Sequence, residues 1–237
     1  MTQDHANKVE DNTSDHNGEE EKQPKPTTLL LVRHALNDWV GDKLAGWTPN
    51  VHLNDKGKAQ AEALCQRLAD QPIAAVYSSP LDRAVETAQI VAAPHQLEVQ
   101  IRAGMGEVRY GDWTGQSIKE LAKEKAWQVV QFYPSGARFP GGEAIREMQA
   151  RAVAELDELV VKHPAETIVV VSHADVIKAV LAHYAGLHLD LFQRLVVSPA
   201  SLSVVAFTPM GPRLVCLNDT AHVPPEENSS QEESEDN

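Results

Sequence analysis

Aromatic residues supply only 5% of the 237 residues, four each of Trp, Tyr and Phe, so the core of this chain has to be built from aliphatic side chains. Cysteine is scarcer still. Cys65 and Cys216 are too few for a disulfide framework, and neither stands in a CxxC or metal-type spacing. Both fall in apolar helix-like or strand-like runs and read as reduced core residues. No run of about 18 apolar residues is present, and the first 26 residues are polar and acidic where a secretory leader needs a basic start and an apolar centre. These absences point to a soluble cytoplasmic protein with no membrane partner.

Positive charge is also in short supply: 21 Lys and Arg stand against 34 Asp and Glu, a net charge of −13. The imbalance lies at the ends. Residues 1–26 carry seven acids and three lysines, and residues 219–237 carry seven acids and no Lys or Arg, giving −4 and −7; residues 27–218 carry 20 acids and 18 bases, or −2. Without a basic face, phosphate-backbone affinity has no source, which argues against nucleic acid as a partner. The two ends are rich in Asp, Glu, Asn, Ser, Gln and Pro and read as disordered acidic tails, leaving 27–218 as one domain.

What is present is an alternation of apolar runs and helical patterns. Residues 28–32 (TLLLV), 73–77, 97–101 and 167–171 (TIVVV) read as strands. Helical spacing covers 56–69, 81–93, 117–132 with Ser117 as its cap, 143–163 and 176–185. Residues 201–207 and 213–217 read as an antiparallel edge pair. The order predicts an α/β fold, a three-layer α/β/α sandwich on a mostly parallel central sheet. In such sheets, ligands sit beyond the carboxyl ends of the strands, so the residues after each apolar run are the informative ones.

Those residues are Arg33-His34, Ser78-Ser79-Pro80-Leu81-Asp82-Arg83 and Ser172-His173-Ala174. Two histidines and two arginines at one sheet edge, with no carboxylate paired to each base, suit an anion, and the planar guanidinium fork suits a phosphoryl group. A metal centre using His34 with Asp38 and His173 with Asp175 is the competing reading. The crowding arginines would repel a cation there, and no HxH, HExxH or DxH pattern occurs, so neither metal nor cofactor is expected.

The stretches LVRHA (31–35), GWTPNVHLNDKGKAQA (46–61), SSPLDRAVETA (78–88), EVRYGDWTG (107–115), FPGGE (139–143) and VSHADVIKAVLAHYAG (171–186) occur in the order seen in the histidine phosphatase superfamily. The chain resembles the phosphoglycerate mutase-like branch of that superfamily over residues 29–207, in a form that carries RHA where most members carry RHG. The resemblance implies a phosphoglycerate mutase-like fold and a metal-independent phosphatase that works through a phosphohistidine on a small phosphorylated metabolite. His34 would be the nucleophile, Glu107 the acid/base carboxylate, and His173 a charged donor in the occupied site. Arg33, Arg83, His173 and Asn37 would hold the phosphate. Glu86 reads as a structural partner on its helix.

Two departures stand out: Ala35 replaces the usual glycine, and Val40 replaces an Asn or Gln. Ala35 restricts positive φ, so the turn beneath His34 has to use an ordinary geometry. The alternative activity on the same scaffold is a phosphomutase, which passes the phosphoryl group to a bound acceptor. Residues 116–140 lack the Arg-Arg-Ser and proline-rich stretch of the cofactor-dependent mutases, which favours hydrolysis. Trp39, Trp47, Arg109, Tyr110 and Trp113 are candidates for the leaving-group wall. A non-catalytic phosphate-sensing module is disfavoured by the complete residue set, and a homodimer is compatible with the sequence.

Overall fold

The structure is a computed structural model that describes residues 25–223 and 225. Twelve elements form its frame: β1 (Thr27–Arg33), α1 (Asp55–Leu68), β2 (Ile73–Ser78), α2 (Asp82–Ala92), β3 (Val99–Ile101), α3 (Ile118–Leu121), α4 (Lys125–Phe132), α5 (Ile145–Lys162), β4 (Thr167–Ser172), α6 (Ala174–Tyr184), β5 (Leu202–Thr208) and β6 (Gly211–Asp219). The six strands make one sheet in the order β3-β2-β4-β1-β5-β6. β1, β2, β3 and β4 pair in parallel, and β5 and β6 add antiparallel at one edge. This is the expected sandwich.

Alternation along the strands decides the layers. Leu29, Leu31, Ile168 and Val170 point to one face, where they meet Ile145, Met148, Leu156 and Leu159 of α5 and Val176, Ile177 and Val180 of α6. Leu30, Val32, Val169 and Val171 point to the other, against Leu64 and Leu68 of α1 and Ala84, Ala88 and Val91 of α2. Burying each such aliphatic side chain contributes roughly 1.5–3 kcal/mol, which is how a core short of aromatics holds together.

Register then places the chemistry. Arg33 pairs with Ser172 and Ser78 pairs with Val171, so β1, β4 and β2 all end at the same level. His34 donates its backbone N–H to the Ser172 carbonyl at 2.9 Å, and Ser79 donates to the Val171 carbonyl at 2.9 Å. The three strand exits are thereby tied together.

Three expectations need correction. The span 117–132 is not one helix: it breaks at residues 122–124 into α3 and α4, and Ser117 makes no side-chain cap. Its backbone instead pairs with Lys43 as an isolated bridge, and Ile118 donates to the Asp42 carbonyl at 2.8 Å. Leu121 is the one fully buried side chain between 118 and 126, too little apolar surface to hold a continuous helix to the core. The cysteines are free thiols, but half-buried rather than core. Finally, the ordered chain does not stop at residue 218. Asp219 completes β6 and pairs with Arg67, the His222 ring hydrogen-bonds the Ala200 carbonyl at 2.9 Å, and Val223 packs on a small cluster containing Leu53 and Ala61. The expected acidic tails otherwise lie outside the described residues. No helix among the described residues is long and apolar enough to cross a membrane.

Candidate active site

A cavity of about 170 Å³ opens at the carboxyl end of the sheet, lined by Arg33, His34, Asn37, Trp39, Lys43, Arg83, Glu107, Tyr110 and Asp175 among others. Every strand exit singled out in the sequence contributes to it or to its immediate support. His34 and His173, 139 positions apart in the chain, stand with ring centroids 5.1 Å apart.

The turn after β1 sets the orientation of His34. Its Nδ1 lies 2.8 Å from the Ala35 carbonyl oxygen, which can only accept, so Nδ1 carries the proton and Nε2 presents its lone pair. Ala35 is fully buried and is absent from the positive-φ residues, so its methyl group is accommodated without backbone strain. Its N–H donates to Thr87 Oγ1 at 3.1 Å, and Thr87 in turn donates to the Arg83 carbonyl at 2.7 Å, joining this turn to α2. Gly57 is required beneath the same turn, because a Cβ there would lie 1.9 Å from the Leu36 carbonyl oxygen.

The His34 ring is held neutral: burial pushes its pKa well below the ordinary value, reinforced by Arg83 and Arg33. His173 is shifted the same way, by burial first and then by Arg83, His34 and Arg33. Arg83 Nη2 lies 3.4 Å from His173 Nδ1 and His173 Nε2 lies 2.7 Å from Ser79 Oγ, so the guanidinium donates to one ring nitrogen while the other bonds the hydroxyl. The expected charged state of His173 belongs to the occupied site and is absent from this neutral arrangement.

Both arginines are anchored by one nitrogen and unsatisfied at another. Arg33 Nη1 donates to the Val197 carbonyl at 2.7 Å, and Arg83 Nη2 donates to the Gly46 carbonyl at 2.9 Å. Arg33 Nε and Arg83 Nη1 are buried with no protein partner among the described residues. Buried cationic donors left open in this way call for an anion.

Glu107 is the counterweight. Its Oε1 accepts from the Val108 N–H at 2.9 Å and its Oε2 lies 3.8 Å from His173 Nδ1. Burial, with the Asp175 carboxylate next in size, raises its pKa from 4.5 to about 7 despite the opposing arginines. A carboxyl group poised near neutrality can both give and take a proton. Asn37 is buried and lines the cavity, but its Oδ1 also accepts from Trp39 N–H at 2.9 Å, so the local turn and the site share this side chain. Glu86 bonds His52 and the Leu53 N–H, across to the neighbouring loop and away from the site.

The expected aromatic wall is only partly there. Trp39 and Tyr110 line the cavity. Trp113 is buried edge-on against Phe139, and Arg109 is exposed with its guanidinium 4.1 Å over the Trp47 ring. Sequence reasoning placed Asp175 only in the competing metal reading, quoted Glu143 only as part of the FPGGE stretch, and missed Arg151 altogether. Asp175 reaches the cavity from the first turn of α6 and accepts from the Tyr110 hydroxyl at 3.3 Å. Arg151, on α5, donates to the carbonyls of Gly104, Gly106 and Glu107 at 2.6, 2.8 and 2.9 Å, and is gripped by Glu143 at 2.7 and 3.0 Å. Glu143 Oε1 also accepts from Arg109 N–H at 2.8 Å, so the loop bearing Glu107 is clamped on both sides. The sequence signal for the clamp was the FPGGE stretch, which nothing in one chain connects to Arg151.

The family profile of the histidine phosphatase superfamily, branch 1, matches residues 29–220. The chain belongs to that family. As a histidine phosphatase it is 31% identical over 199 residues to phosphoserine phosphatase 1 of Hydrogenobacter thermophilus, covering 82% of this chain and 93% of the relative. It is 30% identical to a probable 2-carboxy-D-arabinitol-1-phosphatase of Arabidopsis thaliana over 203 residues, 83% of this chain and 42% of that relative. Among solved structures, a phosphoserine phosphatase from Entamoeba histolytica in complex with phosphoserine superposes with a TM-score of 0.76 at 27% identity, covering 84% of this chain and 100% of that one. The same enzyme with 3-phosphoglyceric acid gives 0.77. This histidine phosphatase is a phosphatase with the phosphoglycerate mutase-like fold.

Proposed function

We propose that His34, Glu107 and His173 carry the hydrolysis and that Arg33, Arg83, His173 and Asn37 bind the phosphoryl group of a small phosphorylated metabolite. The observation that carries this reading is the pair of unsatisfied buried guanidinium nitrogens beside the neutral His34 ring. His34 Nε2 attacks phosphorus in line, forming a P–N bond as the P–O ester bond breaks. Protonated Glu107 gives its proton to the departing alkoxide. The resulting carboxylate then takes a proton from water as the water oxygen attacks phosphorus, the P–N bond breaks, and inorganic phosphate leaves with His34 restored. The arginines stabilise charge on the equatorial oxygens throughout, and a bound dianion draws a proton onto His173 by offsetting the arginines that now oppose it.

Water is the acceptor in this reading. A cavity of about 170 Å³ whose cations are one pair of arginines and the single lysine Lys43 favours one phosphoryl group over two, and hence hydrolysis over transfer to a second phosphorylated molecule. The free thiols of Cys65 and Cys216 are in keeping with a cytoplasmic site of action. Phosphate release from a panel of phosphomonoesters in EDTA, with His34→Ala alongside, tests the assignment. Turnover should persist in EDTA and fall at least about 1,000-fold in the variant; turnover undiminished in His34→Ala would overturn it.

A further inference from the structure

Most of the charged groups lining the cavity serve the phosphoryl group, but one works against it. Arg33 and Arg83 attract the dianion, Lys43, whose ammonium lies 5.4 Å from the Trp39 ring centroid, adds a third cation, and Glu107 can carry a proton. Asp175 sets a second carboxylate in the same cavity, where it repels phosphate. Its position in the first turn of α6 complements the helix dipole, and Lys178 Nζ lies 3.6 Å from Oδ1. Those roles occupy one oxygen. Oδ2 meets the Tyr110 hydroxyl at 3.3 Å, a neutral donor that leaves the carboxylate its charge, and Tyr110 also lines the cavity. Lys178 is drawn toward Gln193 Oε1, 3.1 Å away, and does not line the cavity.

A carboxylate kept beside a phosphate site has a use if the alcohol being released brings a donor to meet it. We propose that Asp175, backed by Tyr110, recognises the leaving group, and that the substrate is a phosphate monoester whose alcohol carries an ammonium or hydroxyl donor, and no carboxylate, near the ester oxygen. This rests on the phosphatase reading above. Asp175 and Glu107 line the same cavity, so a leaving group that meets one lies within electrostatic reach of the other, and the Asp175 carboxylate is second only to burial in raising the Glu107 pKa.

The test compares kcat/KM for phosphoethanolamine, glycerol 3-phosphate and 3-phosphoglycerate, all alkyl esters whose leaving groups need the same proton, so changes at Glu107 cancel in the ratios. The wild-type enzyme should favour phosphoethanolamine over 3-phosphoglycerate at least tenfold, with glycerol 3-phosphate between them. Asp175→Asn should lower that ratio tenfold or more, partly by raising turnover of 3-phosphoglycerate. Lys178→Met keeps the carboxylate and removes only its ion-pair partner, so the ratio should hold or increase. A wild-type preference for 3-phosphoglycerate overturns the proposal whatever the variants do, and so does a ratio unmoved in Asp175→Asn. Nitrophenyl phosphate serves as the separate control: a wild-type enzyme that does not hydrolyse it puts the failure in the phosphatase reading, not in Asp175.

Discussion

Glu107 is the side chain whose environment makes the sharpest demands. A carboxyl group moved from 4.5 to about 7 is protonated in the folded state over a pH range where the unfolded chain has lost the proton. Stability from this group is therefore complete below about pH 4.5 and is lost as pH rises to about 7, on the order of 3 kcal/mol. Glu107→Gln removes that cost: relative to the wild type it should gain thermal stability at pH 8 and little at pH 4, which melting curves at the two pH values would read. The same variant should lose far more activity on alkyl phosphates than on nitrophenyl phosphate, whose leaving group scarcely needs a proton; equal losses would remove Glu107 from the acid role. For alkyl phosphates, kcat/KM should rise with the deprotonation of His34 well below pH 6.5 and fall near pH 7, with both limbs belonging to the coupled site. Nitrophenyl phosphate should lack the fall near pH 7. Ala35 offers a milder residue-scale check. Because its backbone is outside the positive-φ region, Ala35→Gly gains nothing in the native turn and loosens the unfolded chain, so it should destabilise by about 0.5–1 kcal/mol in a denaturant titration.

At the scale of elements, the site depends on how α5 grips the loop before Glu107. Arg151 spends its guanidinium on three backbone carbonyls and the Glu143 carboxylate, while Trp47 Nε1 donates to the Glu107 carbonyl at 2.6 Å. A lysine cannot reproduce that fork. Arg151→Lys should lower kcat on alkyl phosphates by about 10–100-fold while sparing nitrophenyl phosphate, because what is misplaced is the proposed proton donor, Glu107, and not the proposed nucleophile, His34. Leaving-group dependence separates this from simple loss of fold, which would depress both substrates alike. The break between α3 and α4 belongs to the same scale: residues 122–124 are ordinary helix formers, so local preference predicts a continuous helix, while in the fold Ser117 and Ile118 dock on residues 42–43 and Leu121 alone is buried between 118 and 126.

Across the whole molecule, the C-terminal end closes the sheet edge farthest from β3. Asp219, His222 and Val223 tie β6 and its extension to Arg67 and to the Ala200 turn. Arg67 and Asp219 are partly exposed, so the pair itself contributes less than about 1 kcal/mol, and one hydrogen bond and a partly buried valine add similar amounts. A chain ending at residue 218 should lose about 1–3 kcal/mol in urea unfolding relative to one ending at residue 225. Equal stability of the two would show that these contacts carry nothing.

Much of this was legible in one dimension because it rests on short-range rules. Apolar runs marked four parallel strands, and a polar residue at the end of a buried strand has only the sheet edge to occupy, so Arg33, His34 and His173 announced a shared site. Asp175 and Arg151 did not, since each sits on a helix where a charged residue is ordinary, and their meaning comes from what faces them. Composition and pattern by themselves determined the sandwich and the gathering of Arg33, His34, Arg83 and His173 at one sheet edge. Tertiary structure alone decided the neutral ring of His34, the raised pKa of Glu107 and the clamp behind it, because burial and opposing charge are properties of distances in space, and those arise only when strands 139 residues apart end at the same level.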